Sequence, residues 1–391
     1  MENFIYCTPT KLYFGKDSIS NLVNILEPLG KRVLLTYGGG SIKKNGLYDK
    51  VKELLKDFEI FELSGIEPNP KYESVVKGAN ICKENNIDVI LSVGGGSVLD
   101  CSKAISSAAL YDGEAWDLIT YKVKTTRALP IVDIITLAAT GSEYDNGGVI
   151  SRKETNDKVG YIDDHLFPVA SILDPTYTFT VSKYQTAAGT IDAINHVLEQ
   201  YFCSVHTLLT DGMCEATIKS LMKNVVIALN EPTNYEARSE LMLDCSLACN
   251  GILSLGNSSS NWPLHGIEHA LSGFYDITHG VGLGIITPRW MKHILNDKTV
   301  DRLAQYGINI FNIDKNLNKY EIANKSIELT YKFYKSLGIP MTLKEVNIDN
   351  TRLKEISHHI FTCEHVNSGW VPLDEKDILD ILNDSLEEMY D

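Results

Sequence analysis

Apolar residues in the first half of the chain fall in short unbroken runs, the pattern of strands buried on both faces. "KRVLLTYG" (31–38), "IDVILSVG" (87–94), "PIVDIITL" (130–137) and "VASILDP" (169–175) are the clearest. Between them, "LYDKVKELLKDF" (47–58), "YESVVKGANICKENN" (72–86) and "VLDCSKAISSAA" (98–109) space their apolar positions as helices do. This alternation predicts a parallel sheet flanked by helices. Beyond about residue 182 the period turns helical almost throughout, as in "YEARSELMLDCSLACNGIL" and "NKYEIANKSIELTYKFYKSLG". The change falls near "DPTYTFTVS", with no flexible linker. The expected organisation is an α/β domain with a parallel sheet over residues 1–181, tightly apposed to an all-helical domain over residues 182–391.

Two polar residues interrupt an otherwise apolar helix face in "GTIDAINHVLEQYF" (189–202). Asp192 and His196 lie four apart and stack one turn above the other among Ile191, Ile194, Val197 and Leu198, where desolvation makes each costly. Further on, "NWPLHGIEHALSGFYDITHGVGLG" (261–284) carries His265 and His269, again four apart, and His279 after a turn. Any one of these histidines alone reads as a satisfied core or surface residue. An Asp/His pair joined by three clustered histidines, all in the helical half, reads as a metal site. His165, His206, His293, His358, His359 and His365 lack such spacing and read as structural.

Three glycine-rich strand ends add a second kind of chemistry. "SVGGGSVLD" (92–100) runs from strand through three glycines into a helix, bringing backbone N–H groups and a helix N-terminus up to an anion. Asp100, in that first turn, is a candidate for a ribose hydroxyl. The spacing is not GxGxxG, so an ordinary Rossmann fingerprint is absent. "TYGGGSIKKNG" (36–46) ends an earlier strand with no acid behind it, and Ser41, Lys43 and Lys44 suit a 2′-phosphate better than a free 2′-hydroxyl. "TLAATGSE" (136–143) places Thr136, Thr140 and Ser142 on a third loop of the same kind.

Composition narrows the partners. A formal charge of −15 speaks against nucleic acid and anionic membrane surfaces. No run of about 18 apolar residues is present, and "MENFIYCTPT" has neither the basic nor the apolar region of a signal peptide. Eight scattered cysteines, without a CxxC pair, fit a reduced cytosol, and Cys245 and Cys249 read as small core residues. A cytoplasmic protein is expected.

Together "GTIDAINHVLEQY", "WPLHGIEHALS", "DITHGVGLG", "GGGSVLD" and "ATGSE" resemble the iron-dependent (group III) alcohol dehydrogenase family, in particular its NADP-linked, butanol dehydrogenase-like branch. The likeness runs over nearly the whole chain. It implies a Rossmann-like, dehydroquinate synthase-like α/β dinucleotide-binding domain (1–181) followed by an all-helical metal-binding domain (182–391). By resemblance, Asp192, His196, His265 and His279 are four metal ligands, and His269 sits beside the nicotinamide as a catalytic residue that binds no metal. Gly38, Gly39 and Ser41 border the 2′-phosphate of NADPH, and Gly95, Gly96, Ser97 and Asp100 hold the pyrophosphate and ribose. Thr136, Thr140 and Ser142 serve the adenine and nicotinamide halves, and Lys158 a ribose or phosphate oxygen. A metal cofactor (Fe2+, or Zn2+, since the donor set suits both), NADP(H) in preference to NAD(H), a small alcohol or aldehyde substrate and a homodimer are the corresponding expectations.

Two departures from the family pattern stand out. Leu137 and Ala139 occupy positions where many relatives carry Thr and Gly, and Asp145 stands where close relatives have Asn. A carboxylate at that place is expected to bear on substrate choice. The activity implied is hydride transfer between NADP(H) and a primary alcohol or aldehyde such as butanol or butanal. The rivals on the same scaffold are a glycerol- or propanediol-type polyol dehydrogenase and a dehydroquinate synthase-like lyase. A non-catalytic nucleotide sensor is a further rival, which the complete ligand set disfavours.

Overall fold

A computed structural model describes residues 1–390. Among these the chain forms two compact units. One is built from residues 7–182 and 230–250, and the other from 1–6, 183–229 and the chain from Gly251 onward.

Among the described residues, the first unit carries a sheet of β1 (Lys11–Phe14), β2 (Arg32–Tyr37), β3 (Glu59–Leu63), β4 (Val89–Gly94), β5 (Ile131–Ile135) and β8 (Ala170–Leu173). These pair in the order β1-β8-β5-β4-β2-β3, every pair parallel. β4, β5 and β8 are buried along their whole length and β2 over all but its first residue, which is why they read as unbroken apolar runs. Val33, Leu35, Val89 and Leu91 belong to the core on one face. Leu34 and Ile90 belong to the other, with Ala104 and Ile105 of the Gly96–Ala108 helix. The parallel α/β architecture expected from the alternation is thus the one observed.

The edge strands escaped the pattern. β3, "EIFEL", pairs on one side only and exposes Glu59, so its apolar content is diluted. So did an antiparallel hairpin of β6 (Gly147–Arg152) and β7 (Asp157–Ile162).

The expected division at residue 181/182 needs correction in two places. The Tyr235–Ala248 helix belongs to the α/β unit: Met242 packs with Ile135 and Leu173, and the Ser246 hydroxyl donates to Glu143 Oε1 at 2.5 Å. Residues 1–6 belong to the helical unit, where Glu2 N–H donates to the Gly256 carbonyl at 2.8 Å. Helical periodicity reveals that a face is buried but not which partner buries it.

The helical unit includes Lys183–Tyr201, Pro263–Tyr275, His279–His293 and Leu353–Cys363, the helices that build or border the site below. Among the described residues no helix is long and apolar enough to cross a membrane. All eight cysteines are free thiols.

Candidate active site

Asp192 and His196 project from the Lys183–Tyr201 helix, His265 from the third position of Pro263–Tyr275, and His279 from the first residue of His279–His293. The structure brings these four together. Asp192 Oδ1 lies 3.3 Å from His196 Nε2, 3.7 Å from His265 Nε2 and 3.4 Å from His279 Nε2. Donor atoms bound at about 2.1 Å to one cation stand roughly 3–3.5 Å apart, so each histidine nitrogen lies from Asp192 Oδ1 about as two ligands of one cation do. The donor atoms of Asp192, His265 and His279 all lie within 4.8 Å of one another, and His196 joins them through Asp192. Asp192 Oδ1 and His265 Nε2 are buried and have no hydrogen-bond partner in the protein. Left so, each costs about 1–3 kcal/mol, and a divalent cation removes that cost. One carboxylate and three imidazoles suit Fe2+ or Zn2+ equally.

The ionisations within the cluster are strongly shifted, and in different directions. Burial pushes the His196 imidazole down to about 3, keeping it neutral and available as a donor. Burial pushes the Asp192 carboxyl up, but His196, His279 and His265 outweigh it and hold the group well below the usual carboxylate range. Burial also lowers His265, where Glu199 and Asp192 prevail and raise it to about 9.

Two glutamates unremarked in the sequence complete the surroundings. Glu199 accepts from His265 Nδ1, and Glu268 from His279 Nδ1. Their signal was present: each follows a histidine by three residues, at His196 and at His265. Trp262 was also missed. It has a left-handed backbone (φ 50°), caps the Pro263–Tyr275 helix and packs its ring on His265 (5.1 Å between centroids) and His196 (5.7 Å). His269 stands beside the cluster, its ring 6.1 Å from that of His265 and 5.6 Å from that of His279, with Nδ1 3.9 Å from Glu364 Oε2.

Convergence of the helices depends on one glycine. A Cβ at Gly280 would lie 1.9 Å from the backbone carbonyl oxygen of Ala188, a clash that no side-chain rotation relieves. Gly280→Ala therefore has to push the His279 helix away from the helix carrying Asp192. The expected outcome is a loss of about 1–3 kcal/mol in stability together with weakened metal retention, read by thermal unfolding and metal analysis of the same preparation.

In the α/β unit, the three glycine-rich loops follow β2, β4 and β5, which are neighbours in the sheet, so the loops share its carboxyl edge. Gly38, Gly39 and Ser41 lie after β2, and a Cβ on Gly39 would meet nothing within 4 Å. Gly95, Gly96 and Ser97 open the Gly96–Ala108 helix. A Cβ on Gly96 would come within 2.3 Å of Thr140 Oγ1, so glycine there lets the Thr136–Ser142 loop close against the helix. Lys158 lies on β7, buried, opposite Ser151.

Asp100 and Ser142 bond to one another. The Asp100 carboxylate accepts from Ser142 Oγ at 2.7 Å and from Val149 N–H at 3.0 Å, and burial raises it to about 6. Its carboxylate is thus tied into the protein by two bonds. Ser142 Oγ in turn accepts from Lys103 Nζ at 2.9 Å.

That lysine is fully buried. Its Nζ also donates to the carbonyls of Ser142 (2.8 Å), Gly147 (2.6 Å) and Asp145 (3.1 Å) and pairs with Asp145 Oδ1 at 2.7 Å. Asp145 therefore carries a compensated charge. Lys103→Met is expected to cost about 3–5 kcal/mol, because it leaves a mostly buried carboxylate without its cation. Chemical denaturation checks this.

Three glycine-rich loops at one sheet edge in one unit and a one-carboxylate, three-imidazole cluster in the other are the parts that a metal-dependent dehydrogenase needs. Residues 9–175 match the iron-containing alcohol dehydrogenase family, and residues 186–386 match the C-terminal part of the same family. The chain is 47% identical over 389 residues to NADH-dependent butanol dehydrogenase A of Clostridium acetobutylicum, covering 98% of this chain and 100% of that one. It is 36% identical over 370 residues to the NADPH-dependent aldehyde reductase YqhD of Escherichia coli, covering 93% and 95%. A crystal structure of NADH-dependent butanol dehydrogenase A from Thermotoga maritima superimposes with a TM-score of 0.95 at 36% identity, over 99% of both chains. The chain belongs to the iron-containing alcohol dehydrogenase family.

Proposed function

We propose that this protein is an iron-dependent alcohol dehydrogenase that works as an aldehyde reductase, moving hydride between NADP(H) and a primary alcohol or aldehyde such as butanol or butanal. The observation that carries the reading is the convergence of Asp192 Oδ1 with the Nε2 atoms of His196, His265 and His279. These four residues would hold the metal. Bound there, a divalent ion supplies Lewis acidity, polarising the carbonyl and stabilising the charge that builds on its oxygen. His269, beside the cluster, moves the proton that the oxygen gains on reduction. The glycine loops at the sheet edge bind the dinucleotide, with helix N–H groups toward its phosphates. A homodimer is the proposed assembly and the cytoplasm the proposed location.

For the cofactor we take NADP(H) as preferred. An NADH-selecting site hydrogen-bonds the 2′-hydroxyl with an acid just past the strand, and Gly38, Gly39, Gly40 and Ser41 provide none. A second reading, NAD(H), is favoured by the naming of the Clostridium relative. The experiment is kcat/KM for butanal with each cofactor, using protein loaded with Fe2+. On the first reading NADPH is preferred, and Gly39→Asp shifts the ratio toward NADH by about 1–3 kcal/mol through repulsion of the 2′-phosphate. A wild type preferring NADH, with a ratio unmoved by the substitution, establishes the second.

A further inference from the structure

His196 and His265 are each followed three residues later by a glutamate, and both glutamates are almost wholly buried, Glu199 at 1% exposure and Glu268 at 0%. Neither serves the histidine of its own motif. Glu199, on the Lys183–Tyr201 helix, reaches across to His265 on the next element of the site, and Glu268, beside His265, reaches on to His279. The bracing runs from helix to helix. Glu199 also accepts from the backbone N–H groups of Leu264 (2.7 Å) and His265 (3.3 Å), which have no acceptor within their own helix because they stand at its start. Glu268 also accepts from the Ser272 hydroxyl. His196 has no such support: its Nδ1 is buried without a partner.

We infer that Glu199 and Glu268 are positioning residues that hold the metal in place through His265 and His279. A carboxylate can only accept, so each histidine donates from Nδ1 and turns the Nε2 lone pair toward Asp192. The same bond stops the ring from rotating and makes the imidazole a stronger donor. With Asp192, three carboxylates then surround the place of one divalent cation, two of them acting through a ring. The unbraced His196 is the ligand held least firmly. This inference rests on the reading of the four residues as ligands.

The test is the rate at which Co2+-loaded protein releases its metal to a chromogenic chelator, followed also by the visible absorption of the Co2+ site. Glu268→Ala is expected to release metal about 10–100-fold faster than wild type. Glu268→Gln keeps an acceptor for His279 Nδ1 and sheds the charge, so it is expected to fall between the two, with NADPH binding unchanged in both variants. A part of the scaffold without a role at the metal would lower the melting temperature and leave the release rate alone. Release at the wild-type rate from Glu268→Gln and from a folded Glu268→Ala overturns the inference. If Glu268→Ala does not fold, a wild-type rate from Glu268→Gln suffices to overturn it. A wild type that takes up no Co2+ overturns the ligand reading itself, so the two failures are distinct.

Discussion

His265→Ala is expected to empty the protein of its metal and reduce aldehyde turnover by about 10³-fold or more, while NADPH binding stays close to that of wild type. The rate estimate follows from a Lewis acid contributing several kcal/mol of transition-state stabilisation, at about 1.4 kcal/mol for each tenfold. Retained nucleotide binding follows from the architecture, because the glycine loops belong to the α/β unit and His265 to the helical one. The substitution also leaves Glu199 without the ring that donates to it. Glu199 keeps the N–H groups of Leu264 and His265, so the helix start remains capped and the variant is expected to fold. Metal analysis, single-turnover rates and cofactor fluorescence on one preparation check all three statements. Wild-type turnover from the variant contradicts the assignment.

His269→Ala is expected to behave differently, keeping its metal and losing roughly 10²–10⁴-fold in rate, the usual contribution of a positioned proton-transfer group. The contrast is the informative part. His265 and His269 lie one turn apart on the same helix, yet only His265 Nε2 is aimed at Asp192, while His269 Nδ1 approaches Glu364. Glu268, His269 and His279 also stand close enough to be considered as an alternative ligand group. Against that group, Glu268 is already engaged with His279 Nδ1 and Ser272. Loss of metal from His269→Ala would show that His269 is a ligand.

The sequence made the four converging side chains legible because polar residues at helical spacing among buried apolar ones need compensation. It made the interior strands legible for a similar reason, since β2, β4, β5 and β8 are apolar on both faces. Edge strands such as β3 and the β6–β7 hairpin were not, because half-exposed strands mix charge with apolar residues. What the sequence hides is pairing across distance. The partners of Asp100 and Asp145, namely Ser142, Val149 and Lys103, could not be read from the sequence. Glu199 and Glu268 looked like ordinary helix residues because each supports a histidine on the following helix rather than on its own. The Tyr235–Ala248 helix reads as part of the helical half for the same reason, its partners Ile135 and Leu173 lying far back in the chain.

The most direct measurement for the central claim is metal content together with butanal reduction, on protein purified anaerobically, then stripped by chelator, then reloaded with Fe2+. The account predicts a stoichiometric divalent metal in the active protein, loss of reduction with its removal, recovery on adding Fe2+, and no recovery in Asp192→Ala. Metal-free protein that reduces butanal at the full rate, or Asp192→Ala that recovers as wild type does, would contradict it.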